Sequence, residues 1–523
     1  MINAVGREIP NYIENYGNVE PFTGAYTHIE GIYQKASIKV DVNKISKAST
    51  SSSSKLLSSI EEAIDRAGIK DGMTVSFHHH MRNGDYVVNM VMEAIEKKGI
   101  KDIHIAASGL FKCHEPLVHM AENGTIRKIT LSTISPGPLA KAITYGKLKE
   151  PCVFQSHGGR PCAIEEGRLH IDVAFISAPC CDEYGNMNGA VGKSACGVLS
   201  YAYADAQYAD KVIAVTDNLV PFPACPIEIS QEKVDYVVKV DSIGDPNGIA
   251  FGPTKATTDP ENLRVAHMTA QLIDEAGYIK NGMSLQTGAG GTSIAVAAEV
   301  GSIMKEKKIK GAFGSGGITG YFVDMLEEGL FEGLLDTQSF DTQAIASVSK
   351  NKNHQVMSAS QYANPHNKGS IVNQLDVMIL GATEVDTDFN VNVITGFNGV
   401  ILSASGGNQD CAAGAKLAIV VTNALKKGLS VIRNHVTTVT TPGETVDVVV
   451  TDIGIAVNPR RTDIIKALGK TQLPIMSIEE LKAKAEEKAE FSHVPTEFTD
   501  NIVVVVEYRD GTVIDVVRKP KEN

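Results

Sequence analysis

The chain of 523 residues is too long for a single hydrophobic core, and at roughly 150 residues per domain it predicts two to four domains. A hydrophobic content of 43% and a charged content of 21% are typical of a globular protein. The net charge of −12 argues against nucleic acid or an anionic membrane as a partner, because either requires a basic surface. A local basic pocket can still hold an anionic substrate.

The sequence carries no sign of secretion or of a membrane span. The first twenty residues include Arg7, Glu8 and Glu14 and no apolar run, which is unlike a secretory signal, and eighteen consecutive apolar residues occur nowhere. The eight cysteines form no CxxC pair and lie mostly in the first half, unlike a disulfide framework. We therefore expect a cytoplasmic protein.

The N-terminal residues form a separate segment. Residues 1 to about 45 show no clean periodicity, and the serine-rich residues 46–54 predict a flexible connector, so residues 1–55 are expected to be an extension. Beyond it, Leu56, Ile60 and Ile64 are spaced as on one face of a helix, which is predicted to end at Gly68.

The sequence contains an internal duplication. Residues 171–182 match residues 375–386, and residues 64–75 match residues 273–285. Short apolar runs alternate with helical segments in both copies, which predicts an α/β fold of two tandem related domains with mainly parallel sheets. Asp259 as N-cap and Pro260 at the first helical position open the second copy. We place the first domain at residues 56–250 and the second at residues 251–523.

Glu384 is the candidate catalytic residue. A buried strand is predicted up to Leu380 and a short loop then leads to Glu384, and ligands of α/β sheets bind at the carboxyl ends of strands. The first copy has Cys180 at this position, which predicts one reaction centre per chain. Glu384 is either a nucleophile toward a thioester or a carboxylate that positions the attacking group, and the alternative is a loop acid paired with a basic side chain. Cys180 and Cys181 are interpreted as small buried thiols.

Three glycine-rich loops follow predicted strands of the second copy. Their amides are suited to a phosphate or an oxyanion, although tight strand-to-helix turns have the same composition. None has dinucleotide-binding spacing or a Walker lysine. The candidate residues in these loops are Gly288, Gly290, Gly291, Gly316, Gly317, Gly406 and Gly407.

A basic loop occupies the corresponding place in the first copy. It contains His78, His79, His80 and Arg82. Successive residues of an extended chain point in alternate directions, so three adjacent histidines cannot all bind one metal ion, and we predict no metal. A pocket for a polycarboxylate fits better, because arginine offers a bidentate fork; the alternative is a solvent-exposed polar turn. The loop of residues 157–160 (HGGR) is a further candidate for lining this pocket.

Several motifs resemble a known family. Residues 381–386 (GATEVD), the Gly406-Gly407 loop and residues 448–454 (VVVTDIG) resemble the coenzyme A transferase and acyl-CoA hydrolase superfamily. Residues 76–85 (SFHHHMRNGD) and the near-full length are similar to the citrate lyase alpha subunit family within it. The resemblance covers roughly residues 1–520.

This resemblance implies a citrate:acetyl-acyl-carrier-protein transferase, in which acetyl-S-carrier and citrate give citryl-S-carrier and acetate. It implies that the chain binds no cofactor of its own and acts on the phosphoribosyl dephospho-CoA arm of a gamma carrier subunit. A beta subunit would cleave the citryl thioester to oxaloacetate and acetyl-carrier, within an oligomeric complex. Citrate is expected near His78, His79, His80 and Arg82, with the acyl arm at the glycine loops and Glu384 between them.

Two routes remain open for the transfer. In ordinary members of the superfamily the glutamate at the Glu384 position forms an enzyme thioester, whereas in the citrate branch citrate attacks directly and gives a mixed anhydride. An acetate coenzyme A transferase or acyl-CoA hydrolase that uses covalent Glu384 is therefore one alternative function. A scaffold or ligand sensor without catalysis is another, because the same fold serves binding alone.

Overall fold

The structure, a computed structural model, describes residues 1–27, 55–250, 256–288 and 290–521. The predicted serine-rich connector at residues 46–54 lies outside the described residues. The helices of the first half are α1 Ile60–Ala67, α2 Val87–Lys97, α3 Leu117–Glu122, α4 Pro138–Thr144, α5 Gly159–Glu165 and α6 Ala202–Tyr208. Its strands are β1 Tyr12–Ile13, β2 Gly17–Asn18, β3 Leu56–Leu57, β4 Thr74–Phe77, β5 Ile103–Ala107, β6 Ile126–Leu131, β7 Cys152–Phe154, β8 Val173–Ala178, β9 Cys180–Asp182, β10 Met187–Asn188, β11 Lys211–Thr216, β12 Leu219–Val220 and β13 Tyr236–Lys239.

The second half repeats this alternation of strands and helices. Its helices are α7 Pro260–Glu275, α8 Gly291–Lys307, α9 Gly320–Glu327, α10 Thr342–Lys350, α11 Ala359–Ala363, α12 Asn408–Gly414, α13 Thr462–Ala467 and α14 Ile478–Lys488. Its strands are β14 Ser284–Thr287, β15 Gly311–Ile318, β16 Phe331–Ser339, β17 His354–Val356, β18 Val377–Gly381, β19 Glu384–Asp386, β20 Val391–Asn392, β21 Leu417–Val421, β22 Leu425–Lys426, β23 Leu429–Ser430, β24 Ile432–Arg433, β25 Val448–Val450, β26 Ile455–Val457, β27 Ile475–Met476, β28 Phe498–Glu507 and β29 Val513–Pro520.

Local sequence signals account for several element ends. Helix α1 ends at Gly68, whose positive φ of 71° is accessible to glycine at little cost, as predicted. Helix α7 begins as predicted, with the Asp259 side chain accepting a hydrogen bond from the Asn262 amide and Pro260 at the first position. Strand β18 is buried on both faces up to Leu380, because helices cover both sides of a parallel sheet.

Two large sheets share one strand order, which confirms the predicted α/β class and the duplication. Among the described strands, the first sheet has the order β29-β28-β7-β6-β5-β4-β8-β11-β13-β3 and the second β17-β16-β15-β14-β18-β21-β25-β26-β27. The run from β7 to β13 therefore corresponds strand for strand to the run from β17 to β25. Pairing is parallel except between β28 and β29 and between β25 and β26. Each half also has a three-stranded sheet, β10-β9-β12 and β20-β19-β24, and a two-stranded one, β1-β2 and β22-β23.

The C-terminal hairpin belongs to the first sheet. Residues 502–517 form an antiparallel hairpin, and Val504 pairs with Cys152 of β7, so its strands extend the first sheet. The predicted second domain, residues 251–523, includes this hairpin, because pairing with a strand some 350 residues away leaves no local signal in the sequence. The N-terminal residues also lie here: Phe22 packs on Tyr508 with ring centroids 4.6 Å apart. The domain boundary near residue 250 stays a prediction.

Candidate active site

A cavity of about 400 Å³ lies between the two halves. The first half contributes His79, His157 and Tyr201 to its wall. The second half contributes the ends of β14, β16 and β18 and the first turn of α8. The lining residues of the second half are Gln286, Thr287, Gly288, Gly290, Ser293, Gly317, Thr337, Gln338, Phe340, Tyr362, Met378, Leu380, Gly381, Ala382, Thr383, Val393, Gly407 and Asn408. The cavity therefore occupies the carboxyl ends of parallel strands, where ligands of such sheets bind.

The three adjacent histidines point in alternate directions, as predicted for an extended segment. The rings of His78 and His80 are nearly parallel, with centroids 6.4 Å apart. His79 points the other way and is the one of the three that lines the cavity. The Nε2 atom of His80 contacts the Ser177 carbonyl oxygen at 2.8 Å, and Nε2 of His78 lies 3.1 Å from Asp205 Oδ2. The loop is buried, so the alternative of a solvent-exposed turn is wrong.

His79 is held by a hydrogen bond and by two neighbouring rings, of which His157 is stacked on it and Tyr201 is tilted. Its Nδ1 lies 2.7 Å from the Ser108 hydroxyl, and its ring centroid is 4.4 Å from that of Tyr201 and 5.7 Å from that of His157. Burial lowers the pKa of His79 well below its ordinary value, and His157 and Arg82 lower it further. Burial also lowers the pKa of His157 to about 4. Both imidazoles are therefore neutral at pH 7 and offer one donor and one acceptor each.

Arg82 does not line the cavity but contacts a residue that does. Its guanidinium packs 5.0 Å from the ring centroid of Phe340, which lines the cavity, and donates a hydrogen bond to the Ile249 carbonyl at 2.8 Å. Burial lowers its pKa to about 10, so Arg82 keeps its charge at neutral pH. Arg82 therefore packs on a lining residue without lining the cavity itself.

Four of the seven glycines predicted to bind the ligand line this cavity. Gly288, Gly290, Gly317 and Gly407 line it. Gly290 is the N-cap of the 17-residue helix α8, so the positive end of that helix dipole borders the cavity.

The other three glycines, Gly291, Gly316 and Gly406, are not among the lining residues. The amide of Gly406 instead donates to the Ser132 carbonyl at 2.8 Å, and the positive φ of 90° at Gly316 brings its backbone against Gln286.

Glu384 is fully buried and does not line the cavity, although its neighbour Thr383 does. Its Oε2 accepts hydrogen bonds from the Asn392 side chain at 2.7 Å and the Thr437 amide at 2.6 Å. Its Oε1 accepts from the Thr437 hydroxyl at 3.0 Å and from the Arg433 guanidinium. All four acceptor directions of the carboxylate are used, so the geometry is that of an acid paired with a basic side chain.

Neutral polar groups dominate the cavity wall. Among the described residues that line it, none carries a carboxylate, an ammonium or a guanidinium. The hydrogen-bonding groups are imidazoles, hydroxyls, backbone amides and the side-chain amides of Gln286, Gln338 and Asn408. One wall is apolar and consists of Met378, Leu380, Ala382 and Val393. Such a wall can hold an uncharged chain while preorganised donors hold oxyanions.

Sequence reasoning missed several lining side chains. Tyr201, Gln286 and Gln338 line the cavity. Of these, only Gln286 could have been identified from neighbouring residues in the sequence, because it lies near the end of β14, just before the glycine loop. Tyr201 and Gln338 lie outside every glycine-rich motif. His157 was a secondary candidate, and the structure places it in the wall. Cys180 is buried, and burial raises its pKa, which agrees with its interpretation as an inert thiol.

Two clusters of the described residues bring metal-ligand atoms together, and neither includes the three histidines. They are Cys162, Glu166 and His366, and His170, Asp172 and Asp210. In the first cluster Arg168 donates to Glu166 Oε2 at 3.0 Å and lies 3.6 Å from Cys162 Sγ, so a guanidinium already supplies the positive charge.

Within the described parts of the chain, no helix combines the length and apolar character needed to cross a bilayer.

Known proteins resemble this chain both in sequence and in structure. The family model "Citrate lyase, alpha subunit (CitF)" matches residues 53–520. A citrate lyase alpha chain from Haemophilus influenzae is 48% identical over 475 residues, which cover 90% of this chain and 94% of that one. The Klebsiella pneumoniae citrate lyase alpha chain is 47% identical over 469 residues, covering 90% and 92%.

Solved structures agree. A Streptococcus mutans protein described as an alpha subunit of citrate lyase, solved in complex with citrate, superposes with a TM-score of 0.93 at 47% identity and covers 99% of this chain and 100% of that one. A 4-hydroxybutyrate CoA-transferase from Porphyromonas gingivalis has a TM-score of 0.53 at 19% identity, covers 83% of this chain and 96% of that one, and shows the fold alone.

These matches confirm both resemblances predicted from the sequence motifs: the coenzyme A transferase fold and, within it, the citrate branch. The chain belongs to the family of citrate lyase alpha subunits.

Proposed function

We propose that the cavity between the two halves is where this chain, as the citrate:acetyl-acyl-carrier-protein transferase of citrate lyase, exchanges acetate for citrate on the carrier thiol. The reaction converts acetyl-S-carrier and citrate into citryl-S-carrier and acetate. One thioester is exchanged for another, so the equilibrium gap is small and the protein must mainly align a carboxylate with a thioester carbonyl.

One observation favours direct attack by citrate over a covalent enzyme intermediate. None of the described residues that line the cavity has a carboxylate, and the carboxylate of Glu384 is enclosed by Asn392, Thr437 and Arg433. This arrangement supports attack by a carboxylate of the substrate. A citrate carboxylate oxygen bonds to the acetyl carbon and the carrier thiolate leaves, which gives a citryl-acetyl anhydride. The thiolate then attacks the citryl carbonyl and acetate leaves.

The cavity wall suggests a role for each group in these steps. The amides at Gly288 and Gly290, at the positive end of α8, are suited to the oxyanion that forms at the attacked carbonyl. Neutral His79 and Gln338 both line the cavity and are suited to bind citrate, and the charge of Arg82, which packs on Phe340, adds a favourable field. His78 and His80, predicted as citrate ligands, would support this loop from beneath.

The apolar wall is suited to the carrier arm. Met378, Leu380 and Val393 present uncharged surface beside the glycine loop, as a pantetheine-type chain requires. We infer that this arm is the phosphoribosyl dephospho-CoA group of the gamma subunit and that the beta subunit cleaves the citryl thioester. The relative solved with citrate supports a tricarboxylate as the second ligand. We place the complex in the cytoplasm, as the cysteine pattern predicts.

An acyl-exchange assay with acetyl-dephospho-CoA as carrier mimic tests this function. Citrate should release acetate and give citryl-dephospho-CoA, whereas the chain incubated with the acetyl thioester and borohydride should show no reduced glutamate by peptide mass mapping. A reduced Glu384 would support the covalent route and contradict direct attack. Citrate binding without turnover of any acyl thioester would support a sensor instead.

A further inference from the structure

The turn at residues 156–160 presents His157 to the cavity. It follows β7 of the first sheet and leads into α5. The imidazole of His157 packs beside the tilted ring of Tyr201 with centroids 5.2 Å apart, and its buried Nδ1 has no hydrogen-bond partner within the described part of the chain. A buried polar atom without a partner, in a side chain that lines a cavity, is available to form a hydrogen bond with a bound ligand.

Asp410 of the second half holds the start of this turn. Its Oδ1 accepts a hydrogen bond from the Ser156 hydroxyl at 2.8 Å, and its Oδ2 accepts from the Gly158 amide at 2.9 Å. These two bonds lie on either side of His157. A Cβ at Gly158 would lie 2.1 Å from the Ala363 carbonyl oxygen, so the close approach of the two halves requires glycine there.

Asp205 of the first half holds the end of the same turn. Both of its carboxylate oxygens accept hydrogen bonds from the Arg160 guanidinium at 2.7 Å. Arg160 is fully buried and also donates to the Ala106 carbonyl at 3.0 Å. Although burial raises the pKa of Asp205, Arg160 and His78 outweigh it and hold the pKa below its ordinary value, so this pair is ionic.

The two aspartates occupy related places in the duplicated fold. Asp205 lies on α6 and Asp410 on α12, the helices that precede β11 and β21 of the two sheets. A backbone bond from the His157 amide to the Gly406 carbonyl, at 2.8 Å, ties the centre of the turn to the second half as well. The turn is thus fixed at both ends and in the middle, by buried groups from both halves.

We propose that His157 contacts the substrate in this cavity and that Asp410 and Asp205 are positioning residues that hold it in place. The proposal rests on the proposed function and adds a specific residue to it. A neutral imidazole at this place donates one hydrogen bond to a carboxylate oxygen of citrate, beside the donor from His79. Rigid placement matters, because displacing a binding group by about 1 Å costs on the order of a hundredfold in rate.

A double-mutant cycle tests whether Asp410 acts through His157. His157→Ala and Asp410→Asn are each expected to lower kcat/KM for citrate by on the order of tenfold to a hundredfold. If Asp410 serves only to place His157, the double variant is no worse than His157→Ala alone. Losses that multiply in the double variant would mean a merely structural role and would overturn the proposal. So would a His157→Ala variant with the citrate kinetics of the wild type.

Asp515→Asn is the matched control. Asp515 is also a buried carboxylate that accepts a backbone amide, from Val439 at 2.7 Å, and lies beside an arginine, Arg7, at 3.1 Å. The hydrogen bonds and the ion pair of its carboxylate go to Val439, Val516 and Arg7, and none of these lines the cavity. Its variant should therefore keep the citrate kinetics of the wild type, and a loss as large as that of Asp410→Asn would contradict the proposal. If Asp410→Asn does not fold, Ser156→Ala replaces it in the cycle, because it removes one donor from the same contact.

The cycle is separable from the test of the function itself. A wild-type chain that fails to exchange acyl groups, or that forms a reducible Glu384 adduct, contradicts the proposed function. If the wild-type chain exchanges acyl groups and His157→Ala has unchanged citrate kinetics, only the role of His157 is contradicted.

Discussion

The carboxylate of Glu384 accepts a hydrogen bond from Asn392 at 2.7 Å across the β19–β20 pair, and Cys180 and Asn188 occupy the corresponding places in the first half. One copy of the duplicated fold thus has an ionisable acid where the other has a thiol. The acid has gained Arg433 and Thr437 as additional donors. The presence of an acid in one copy alone, which suggested a nucleophile, therefore also has a structural explanation. The Glu384 carboxylate holds the loop that follows β24 through its hydrogen bonds to Thr437.

Glu384→Gln is predicted to act mainly on stability. An amide cannot accept from all four donors, and the nitrogen of glutamine would face the Thr437 amide or Arg433, so we expect the free energy of unfolding to fall by about 1–3 kcal/mol. Denaturant unfolding measures this. Thr437→Val, which removes the hydroxyl donor, should cost less. Complete loss of exchange activity in a Glu384→Gln protein of wild-type stability would restore Glu384 as the nucleophile.

His79→Gln is predicted to raise KM for citrate by on the order of tenfold, the value of one hydrogen bond to a charged group. His79 is the member of the histidine triplet that lines the cavity. His80→Gln is the matched control, because His80 faces the Ser177 carbonyl and should leave KM nearly unchanged. Steady-state kinetics with varied citrate measures both, and equal effects of the two substitutions would contradict the assignment.

Gly317→Ala is predicted to damage the cavity sterically. A Cβ at this position would lie 1.9 Å from Cε2 of Phe340, so the ring must move, and the Arg82 guanidinium rests on that ring. We expect kcat/KM for citrate to fall at least on the order of tenfold. Gly288→Ala is the comparison, since its nearest contact would be the Ile379 carbonyl oxygen at 3.7 Å. A larger loss for Gly288→Ala would contradict this account.

The buried histidines predict a loss of stability in acid. Burial, with His78 nearby, lowers the pKa of His80 to about 4, below the value of about 6.5 in the unfolded chain. Between these values the unfolded chain binds the extra proton, so the stability that neutral His80 contributes is present above pH 6.5 and is lost as the pH falls toward 4.

The comparison with His80→Gln isolates this group. The difference in unfolding free energy between wild type and variant should shrink by up to about 3 kcal/mol from pH 6.5 to pH 4, at about 1.4 kcal/mol per pH unit. Denaturant unfolding at several pH values measures it, and the other titrating groups cancel in the difference. A difference independent of pH would show that His80 is not held neutral.

The sequence by itself determined the fold class, the duplication and the family. Strand and helix periodicity are local, and the match of residues 171–182 to 375–386 required the two halves to share an order of strands, as β7 to β13 and β17 to β25 do. The alternation of side chains along an extended segment also predicted correctly that His78, His79 and His80 do not point the same way.

Only the tertiary structure decided which side chains reach the cavity. The donors to Glu384 come from Asn392, Arg433 and Thr437, which lie 8, 49 and 53 positions along the chain. Likewise, the turn that carries His157 is fixed by Asp410, 252 positions beyond Gly158. A local pattern specifies that a strand ends and a loop begins. Whether the loop's carboxylate meets substrate or an arginine depends on groups that only the packing of the two halves brings within hydrogen-bonding distance.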